Sequence, residues 1–342
     1  MASARQHNPR GAAQPPGLAS PASLRGRSVV VLGGTGFLGR HIHDAFGAVG
    51  ARALSVSRRA AGGSSDVGGA VRLDLVDAEP SRLAGVLAQA EADVVVNAAG
   101  RAWQAGERQM TRDNADLVDR LIAAVSELPR PPRLIQLGTV HEYGPVDFGA
   151  TITEDQPAAP ITAYGQSKLR GAQAVLRAAR TSGLDAVVLR IANVSGPGSP
   201  PGSLLRTVAD HLADLHRNAG RGAGPGTGTR SPALRLAPLR AHRDFVDVRD
   251  VAEAVLAAAR VPTSVVGGHV VNIGRGEAVS VRWMVDRLIA LSGLSVPVVE
   301  RPQMDGVGVE WQQLDISRAR LLLGWQPRRS LEESLTDLLS AL

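Results

Sequence analysis

The chain has no cysteine, and a single lysine stands among its 38 Lys and Arg residues. Without cysteine there is no disulfide framework, no thiolate metal site and no cysteine nucleophile. Aromatic residues make up only 3% of the chain, too few for the stacked platforms that hold single-stranded nucleic acid. No apolar run approaches the roughly 18 residues needed to span a bilayer, and the N-terminus lacks the apolar core of a secretory signal. The net charge is +6, but residues 1–27 hold Arg5, Arg10, Arg25 and Arg27 and no acid, which leaves +2 for the rest. A body so nearly balanced is a poor footprint for nucleic acid. These exclusions predict a cytoplasmic protein without metal, membrane or nucleic-acid partner, preceded by a disordered Pro-, Ala-, Gly- and Arg-rich tail at 1–25.

Beyond the tail, strand and helix patterns alternate. SVVVL (28–32) is a continuous apolar run of the kind buried on both faces of a parallel sheet, and a glycine turn and a helical pattern follow it at once. Further strands are expected at 53–56, 70–75, 93–100, 133–139 and 185–198, with helices near 80–90, 111–127 and 163–183. This alternation predicts an α/β fold with a doubly wound parallel (Rossmann) sheet at 26–195, to which later segments return. Residues 196–342 read mainly as a smaller substrate-binding lobe. Inside it, the Gly- and Pro-rich stretch 218–232 reads either as a lid or as a tolerated insertion.

The first glycine turn, GGTGFLG, places Gly33, Gly34, Gly36 and Gly39 around Thr35, Phe37 and Leu38. Gly34 and Gly36 are expected to let backbone approach a pyrophosphate at a helix N-terminus, and Gly39 to permit close helix–strand packing. The second strand exits into Ser57, Arg58 and Arg59. A carboxylate there would bond the ribose hydroxyls of NAD; a hydroxyl and two guanidinium groups suit the 2′-phosphate of NADP(H) instead. Asp74 and Leu75, beyond the third strand, are positioned to hold an adenine.

The single lysine, Lys168, lies four residues after Tyr164, one of two tyrosines. Residues i and i+4 share a helix face. An ammonium beside a phenol is expected to lower the phenol pKa from about 10, so that the pair handles a proton at a substrate oxygen. Lysine also suits a ribose contact that the broad, permanently charged guanidinium does not. Thr139, leaving the fifth strand, can donate to the same oxygen.

GGTGFLG, NAAG at 97–100, Thr139, the Tyr164–Lys168 pair and RDFVDVRDVA at 243–252 together resemble the extended short-chain dehydrogenase/reductases, the NAD-dependent epimerase/dehydratase group. The resemblance implies a nucleotide-sugar substrate, hydride transfer at a sugar carbon, and Thr139, Tyr164 and Lys168 as the catalytic trio. It implies cofactor contacts at Asn97, Ala98, Ala99, Gly100, Asn114 and Ile191, and a homodimer through the helix that carries Tyr164. It places Asn193 near the substrate diphosphate and Arg243 on the nucleotide phosphates. Relatives that dehydrate their sugar carry Asp-Glu after the threonine, where this chain has Val140 and His141. GTVHEYGP (138–145) and Ser203, Leu204 and Leu205 resemble instead the 4-ketoreductases of antibiotic deoxysugar pathways, which act on a dTDP-4-keto-6-deoxyhexose with NADPH; Arg206 departs from that pattern. Two other readings stay open: a 4-epimerase with retained NAD, and a non-catalytic NADP-sensing protein.

Overall fold

The computed structural model describes residues 22–58, 69–102, 105–219, 232–301 and 309–342. Among them the strands are β1 (Ser28–Leu32), β2 (Arg52–Ser57), β3 (Ala70–Arg72), β4 (Val94–Asn97), β5 (Arg133–Thr139), β6 (Ala186–Ile191), β7 (Asn193–Ser195), β8 (Leu234–Leu236), β9 (His242–Asp247), β10 (Val270–Ile273), β11 (Ala278–Ser280) and β12 (Val298–Glu300). The helices are α1 (Phe37–Ala48), α2 (Pro80–Gln89), α3 (Glu107–Thr111), α4 (Leu117–Ser126), α5 (Ala163–Ser182), α6 (Leu204–Ala219), α7 (Val248–Arg260), α8 (Thr263–Val266), α9 (Val281–Leu291) and α10 (Leu331–Ser340).

A seven-stranded sheet runs β10-β6-β5-β4-β1-β2-β3, and every pair in it is parallel. Strand order reverses between β1 and β4, so their carboxyl ends open the crevice where a doubly wound sheet binds its ligand. Successive residues of β1 serve opposite faces. Val29 and Val31 join the core beneath α1 and α7, while Val30 and Leu32 join the one beneath α2, α4 and α5. A third core gathers α6, α9 and α10 around Leu212, Met284 and Leu335. β7, β9 and β11 form a small separate sheet.

Several boundaries differ from expectation. The third strand stops at Arg72, because Leu73 and Leu75 turn into the core. The run 185–198 breaks at Ala192: β6 stays in the large sheet and β7 pairs with β9. The helix expected at 111–127 begins at Glu107 and contains a wide π turn over Arg112–Asp116. The tail boundary at 25 is too late, since Leu24 is 4% exposed within the core and the Ala22 N–H donates to the Arg260 carbonyl. Most of the tail (1–21), Arg59 and most of the Gly-rich stretch (220–231) lie outside the described residues.

The glycine turn after β1 divides its duties differently from expectation. Gly33 has φ +77°, and a Cβ there would lie 2.8 Å from the Ala99 backbone, so the turn is pressed against the end of β4. A Cβ on Gly34 would meet Ser55 Oγ at 2.3 Å, and one on Gly39 would meet the Gly33 carbonyl at 2.1 Å. Gly34 is therefore required by packing on β2. Gly36 alone of these is exposed, and a Cβ there would lie 3.1 Å from the Gly33 carbonyl, a tight contact but a milder one than the others. We expect Gly39→Ala to destabilise the fold by about 1–3 kcal/mol in denaturant titration. Gly36→Ala is expected to cost less stability than Gly39→Ala but to weaken dinucleotide binding; equal behaviour of the two variants would refute this division.

Candidate functional site

The carboxyl end of β5 and the first turn of α5 meet beside this crevice. Thr162 caps α5 by accepting from the Gly165 N–H at 3.1 Å. A Cβ on Gly165 would lie 2.4 Å from the His141 carbonyl, so α5 starts in tight contact with the turn after Thr139. The Thr139 side chain lies near enough to the Tyr164 phenol to favour its ionised form. Lys168, 7% exposed, donates from Nζ to the Leu137 carbonyl of β5 at 2.5 Å. The three expected catalytic side chains are thus brought together.

Their electrostatics correct one expectation. The Tyr164 phenol is pushed up to about 12, not down. Burial disfavours the phenolate most, and the nearby Glu142 carboxylate adds to it; the Thr139 side chain only partly offsets them. Burial likewise lowers Lys168, against the opposing pull of Glu142. The ammonium is directed to a strand carbonyl rather than to the phenol, so the pair does not by itself create a phenolate.

Glu142 is the residue that sequence reasoning missed. It is fully buried. Oε1 accepts from the Thr139 N–H at 2.9 Å, and Oε2 accepts from Arg190 Nε at 2.7 Å. The Arg190 guanidinium lies 4.4 Å from the Tyr143 ring centre, and the Tyr143 hydroxyl donates to Asn272 Oδ1 at 2.7 Å. Two sequence signals pointed here: the Thr-x-x-Glu spacing of a capping box, and one arginine inside the apolar strand AVVLRI.

On the dinucleotide side, Gly36 is the N-cap of α1 and offers no side-chain cap, which leaves first-turn N–H groups for an anion. Thr35 is exposed, Phe37 is half-buried, and Leu38 packs on the core. Ser57 is buried at the end of β2 and Arg58 is exposed beside it. These residues fit a nicotinamide dinucleotide. Others fit only through their backbone. Asn97 is 1% exposed and spends its side chain on Gln136 and the Ala99 N–H. Ala98 and Ala99 are half-buried and Gly100 is exposed. Asn114, in the π turn, bonds both backbone groups of Arg101 and Ser167 Oγ, so it ties the loop after β4 to α5. Asp74 accepts from the Val76 N–H; Leu75 and Ile191 are core residues.

On the substrate side, His141 stacks edge-on against Tyr164, ring centres 5.9 Å apart. Burial and the Arg243 charge lower its pKa to about 4, so it is neutral. Arg243 is half-buried, its pKa lowered to about 10 by desolvation, and its Nη1 has no hydrogen-bond partner. The adjacent carboxylates do not neutralise it. Asp244 accepts from the N–H groups of Arg275, Gly276 and Leu314, and Asp247 pairs with Arg249. Asn193 donates to the Asp244 carbonyl and to Gln312 Oε1, so both its donors are spent within the protein. Val140 and Leu205, expected from the resemblance as substrate contacts, turn their side chains into hydrophobic cores, 1% and 5% exposed. Leu204 packs against that same small-lobe core, and Ser203 Oγ donates to the Pro200 carbonyl. Arg206 pairs with Asp210.

Among the described residues no group of three or more His, Cys, Asp or Glu could hold a metal, and no helix is long and apolar enough to cross a membrane. The model of the NAD dependent epimerase/dehydratase family matches residues 29–274, and the chain belongs to that family. It is 43% identical over 315 residues to the dTDP-6-deoxy-L-talose 4-dehydrogenase (NAD(P)(+)) of Kitasatospora kifunensis, covering 92% of this chain and 95% of that one. MoeE5 in complex with UDP-glucuronic acid and NAD matches with a TM-score of 0.77 and 26% identity, covering 92% of this chain and 98% of that one. RMD from Pseudomonas aeruginosa, complexed with NADPH, shares the fold at a TM-score of 0.75 and 22% identity, covering the same shares. The chain is an enzyme of this family and a homologue of nucleotide-sugar oxidoreductases that use a nicotinamide dinucleotide.

Because Glu142 and Arg190 are paired out of water, removing one charge strands the other. We expect Glu142→Gln to cost about 3–5 kcal/mol in chemical denaturation. The apolar pair Glu142→Leu with Arg190→Met is expected to recover much of that loss; a double variant as unstable as the single one would overturn the account.

Proposed function

We propose that this protein is an NADPH-dependent 4-ketoreductase acting on a dTDP-4-keto-6-deoxyhexose. The observation that carries the reading is Arg243, a desolvated guanidinium with an unbonded nitrogen and, among the described residues, no carboxylate partner, close enough to shift His141, which stacks on Tyr164. A site with an anion anchor near a proton donor suits a sugar that carries a diphosphate at one end and reacts at the other. The relative named for dTDP-6-deoxy-L-talose 4-dehydrogenation supports chemistry at C4, since ketone reduction is that reaction reversed. Val140 and His141 offer no carboxyl pair for a dehydration.

When bound, the reduced nicotinamide supplies hydride to C4. Tyr164 holds its proton at neutral pH and gives it to the oxygen as the carbonyl becomes an alcohol. Thr139, beside that phenol, would orient the same oxygen. Lys168, reaching from α5 toward β5, would hold the nicotinamide ribose. Gly36 and the first turn of α1 hold the pyrophosphate. Ser57 and Arg58 would hold the 2′-phosphate; Arg59 lies outside the described residues. The core of α6, α9 and α10 backs the lobe that covers the sugar nucleotide.

The deciding test is product NMR after incubation with NADPH and a panel of dTDP-4-ketohexoses. A C4 alcohol is expected; products altered at another carbon would refute the reading. Tyr164→Phe is expected to lower turnover by about 10²–10⁴ while keeping NADPH binding. Lys168→Arg should lose both, because the wider guanidinium does not fit the buried slot against Leu137. The sign of the pH dependence follows from the raised phenol pKa. Reduction needs the neutral phenol and should be insensitive to pH near neutrality, while C4 oxidation needs the phenolate and should rise as pH rises. The opposite pattern would exclude Tyr164 as the proton donor.

The dinucleotide preference is a separate expectation. NADPH should be used at least about tenfold better than NADH in kcat/KM, equivalent to about 1.4 kcal/mol. Arg58→Asp should erase most of that ratio by placing a carboxylate where the phosphate would lie. An unchanged ratio would show that Arg58 does not read the 2′-phosphate.

A further inference from the structure

Gln136 of β5 is polar on a face of the large sheet that is otherwise apolar. It stands opposite Asn97 on β4 and Val188 on β6. Leu134, Val95 and Val188, which share that face, belong to the core beneath α2, α4 and α5. Gln136 is 1% exposed among them, and an amide so deeply buried is costly unless its donors and acceptor are met. Its Oε1 accepts from Asn97 Nδ2 at 2.9 Å, and its Nε2 donates to the Leu137 carbonyl at 3.1 Å. That oxygen is the one to which Lys168 Nζ donates at 2.5 Å.

The strand ladder explains why this carbonyl takes side-chain donors. The Arg133 N–H donates to Asp93 on the β4 side, and the Leu134 N–H donates to Asp185 on the β6 side. Backbone groups alternate sides along a strand, so Leu137 turns its carbonyl toward β4. β4 ends at Asn97, opposite Gln136, and the next two N–H groups leave the ladder. Ala98 donates to the Leu32 carbonyl and Ala99 to Asn97 Oδ1. No strand donor therefore stands opposite the Leu137 carbonyl, and Gln136 and Lys168 take that place. A carbonyl oxygen has two lone pairs and an ammonium has three donors. With Gln136 on one lone pair, Lys168 meets the other with a single N–H. Without the amide, the ammonium would be free to straddle both lone pairs and turn a second donor away from the crevice.

Resting on the proposed role of Lys168 at the nicotinamide ribose, we infer that Gln136 is a positioning residue: its amide fills the second lone pair of the Leu137 carbonyl, so that the ammonium spends one donor at one fixed point and keeps the others for the ribose hydroxyls. The donors run in one direction, from the Ala99 N–H to Asn97, from Asn97 to Gln136, and from Gln136 to the Leu137 carbonyl. Ala99 is also the backbone against which the Gly33 turn is pressed. The depth of the ammonium is thus set from the same strand end that bounds the dinucleotide crevice.

The test measures the affinity of two probes by calorimetry in wild type, Gln136→Met, Lys168→Met and the double variant. One probe is NADPH. The other is adenosine 2′,5′-bisphosphate, which carries the adenosine end of NADPH but no nicotinamide ribose. Gln136→Met is expected to weaken NADPH about tenfold, the effect of a donor held slightly out of place, and to leave the bisphosphate unchanged. Lys168→Met should weaken NADPH at least as much, and adding Gln136→Met to it should cost nothing further, because a residue that acts through Lys168 has no effect once Lys168 is gone. Gln136→Met leaves Asn97 Nδ2 buried without an acceptor; if that prevents folding, Gln136→Leu with Asn97→Leu removes both amides and carries the same expectations. An equal loss for both probes, or additive losses in the double variant, overturns the inference and marks Gln136 as structural. Unchanged NADPH affinity in Lys168→Met overturns the ribose role of Lys168, and this inference with it. Product NMR tests the C4 reading independently of either result.

Discussion

The buried carboxylate of Glu142 is the interaction on which the site depends. It receives the backbone of Thr139 from one side and the guanidinium of Arg190 from the other. Arg190 lies against Tyr143, and Tyr143 reaches Asn272 of β10. The backbone of Asn272 in turn donates to Glu154. One chain of polar contacts thus locks three neighbouring strands, β5, β6 and β10, at the end where the chemistry is placed. Its value is not net attraction. Near a protein surface two charges at 4 Å attract by about 4 kcal/mol, and desolvation consumes a gain of that size. The value lies in geometry: every atom of the network has one good arrangement, and displaced atoms would be buried without partners. Glu142 also places a negative charge behind the site, which opposes ionisation of Tyr164 and favours the ammonium of Lys168.

The different cationic sites explain the uneven use of lysine and arginine. Arg133 is the contrasting case. Its fork serves Asp185, the carbonyls of Ala258 and Val261, and the Thr263 hydroxyl at once. A planar group with five donors suits that task. Lys168 does the reverse: a narrow stem enters the core and delivers one compact charge to one strand carbonyl. A guanidinium would bring donors that nothing in the slot accepts. In a chain that otherwise relies on arginine, lysine remains where a compact cation is required.

The large sheet was legible because its strands are buried on both faces, so β1, β4 and β6 read as unbroken apolar runs with no alternative period. The Tyr164–Lys168 pair was legible because helix geometry alone puts i and i+4 together. What stayed hidden depends on long-range packing. Ala192 breaks a continuous apolar pattern between two sheets, and nothing local marks the change. Gly34 has the same appearance as Gly36 in sequence, yet only the position of Ser55 shows that one packs on a strand while the other lies at the exposed side of the turn. Val140 and Leu205 stand beside site residues in the chain but turn into cores. The direction of the Tyr164 shift was misread for a related reason: spacing reveals a neighbouring charge but not how much water the fold removes.

Loss of water connects the three titratable groups of the site. It holds Tyr164 more firmly protonated, keeps His141 neutral, and makes the charge on Arg243, which has no counter-charge among the described residues, costly to hold. Each is a state that bulk water would favour less or compensate differently. On the proposed reading, a negatively charged ligand beside Arg243 would meet that charge, and the phenol already holds the proton with which it would meet a ketone. The site then offers a proton donor near an anion receptor. Such preparation cannot move the equilibrium between alcohol and ketone, which belongs to the reactants. It sets the cost of entering the cycle from either end. Reduction starts from the protonation state that burial already enforces, while oxidation must first take a proton from a phenol that burial and Glu142 both hold in its neutral form.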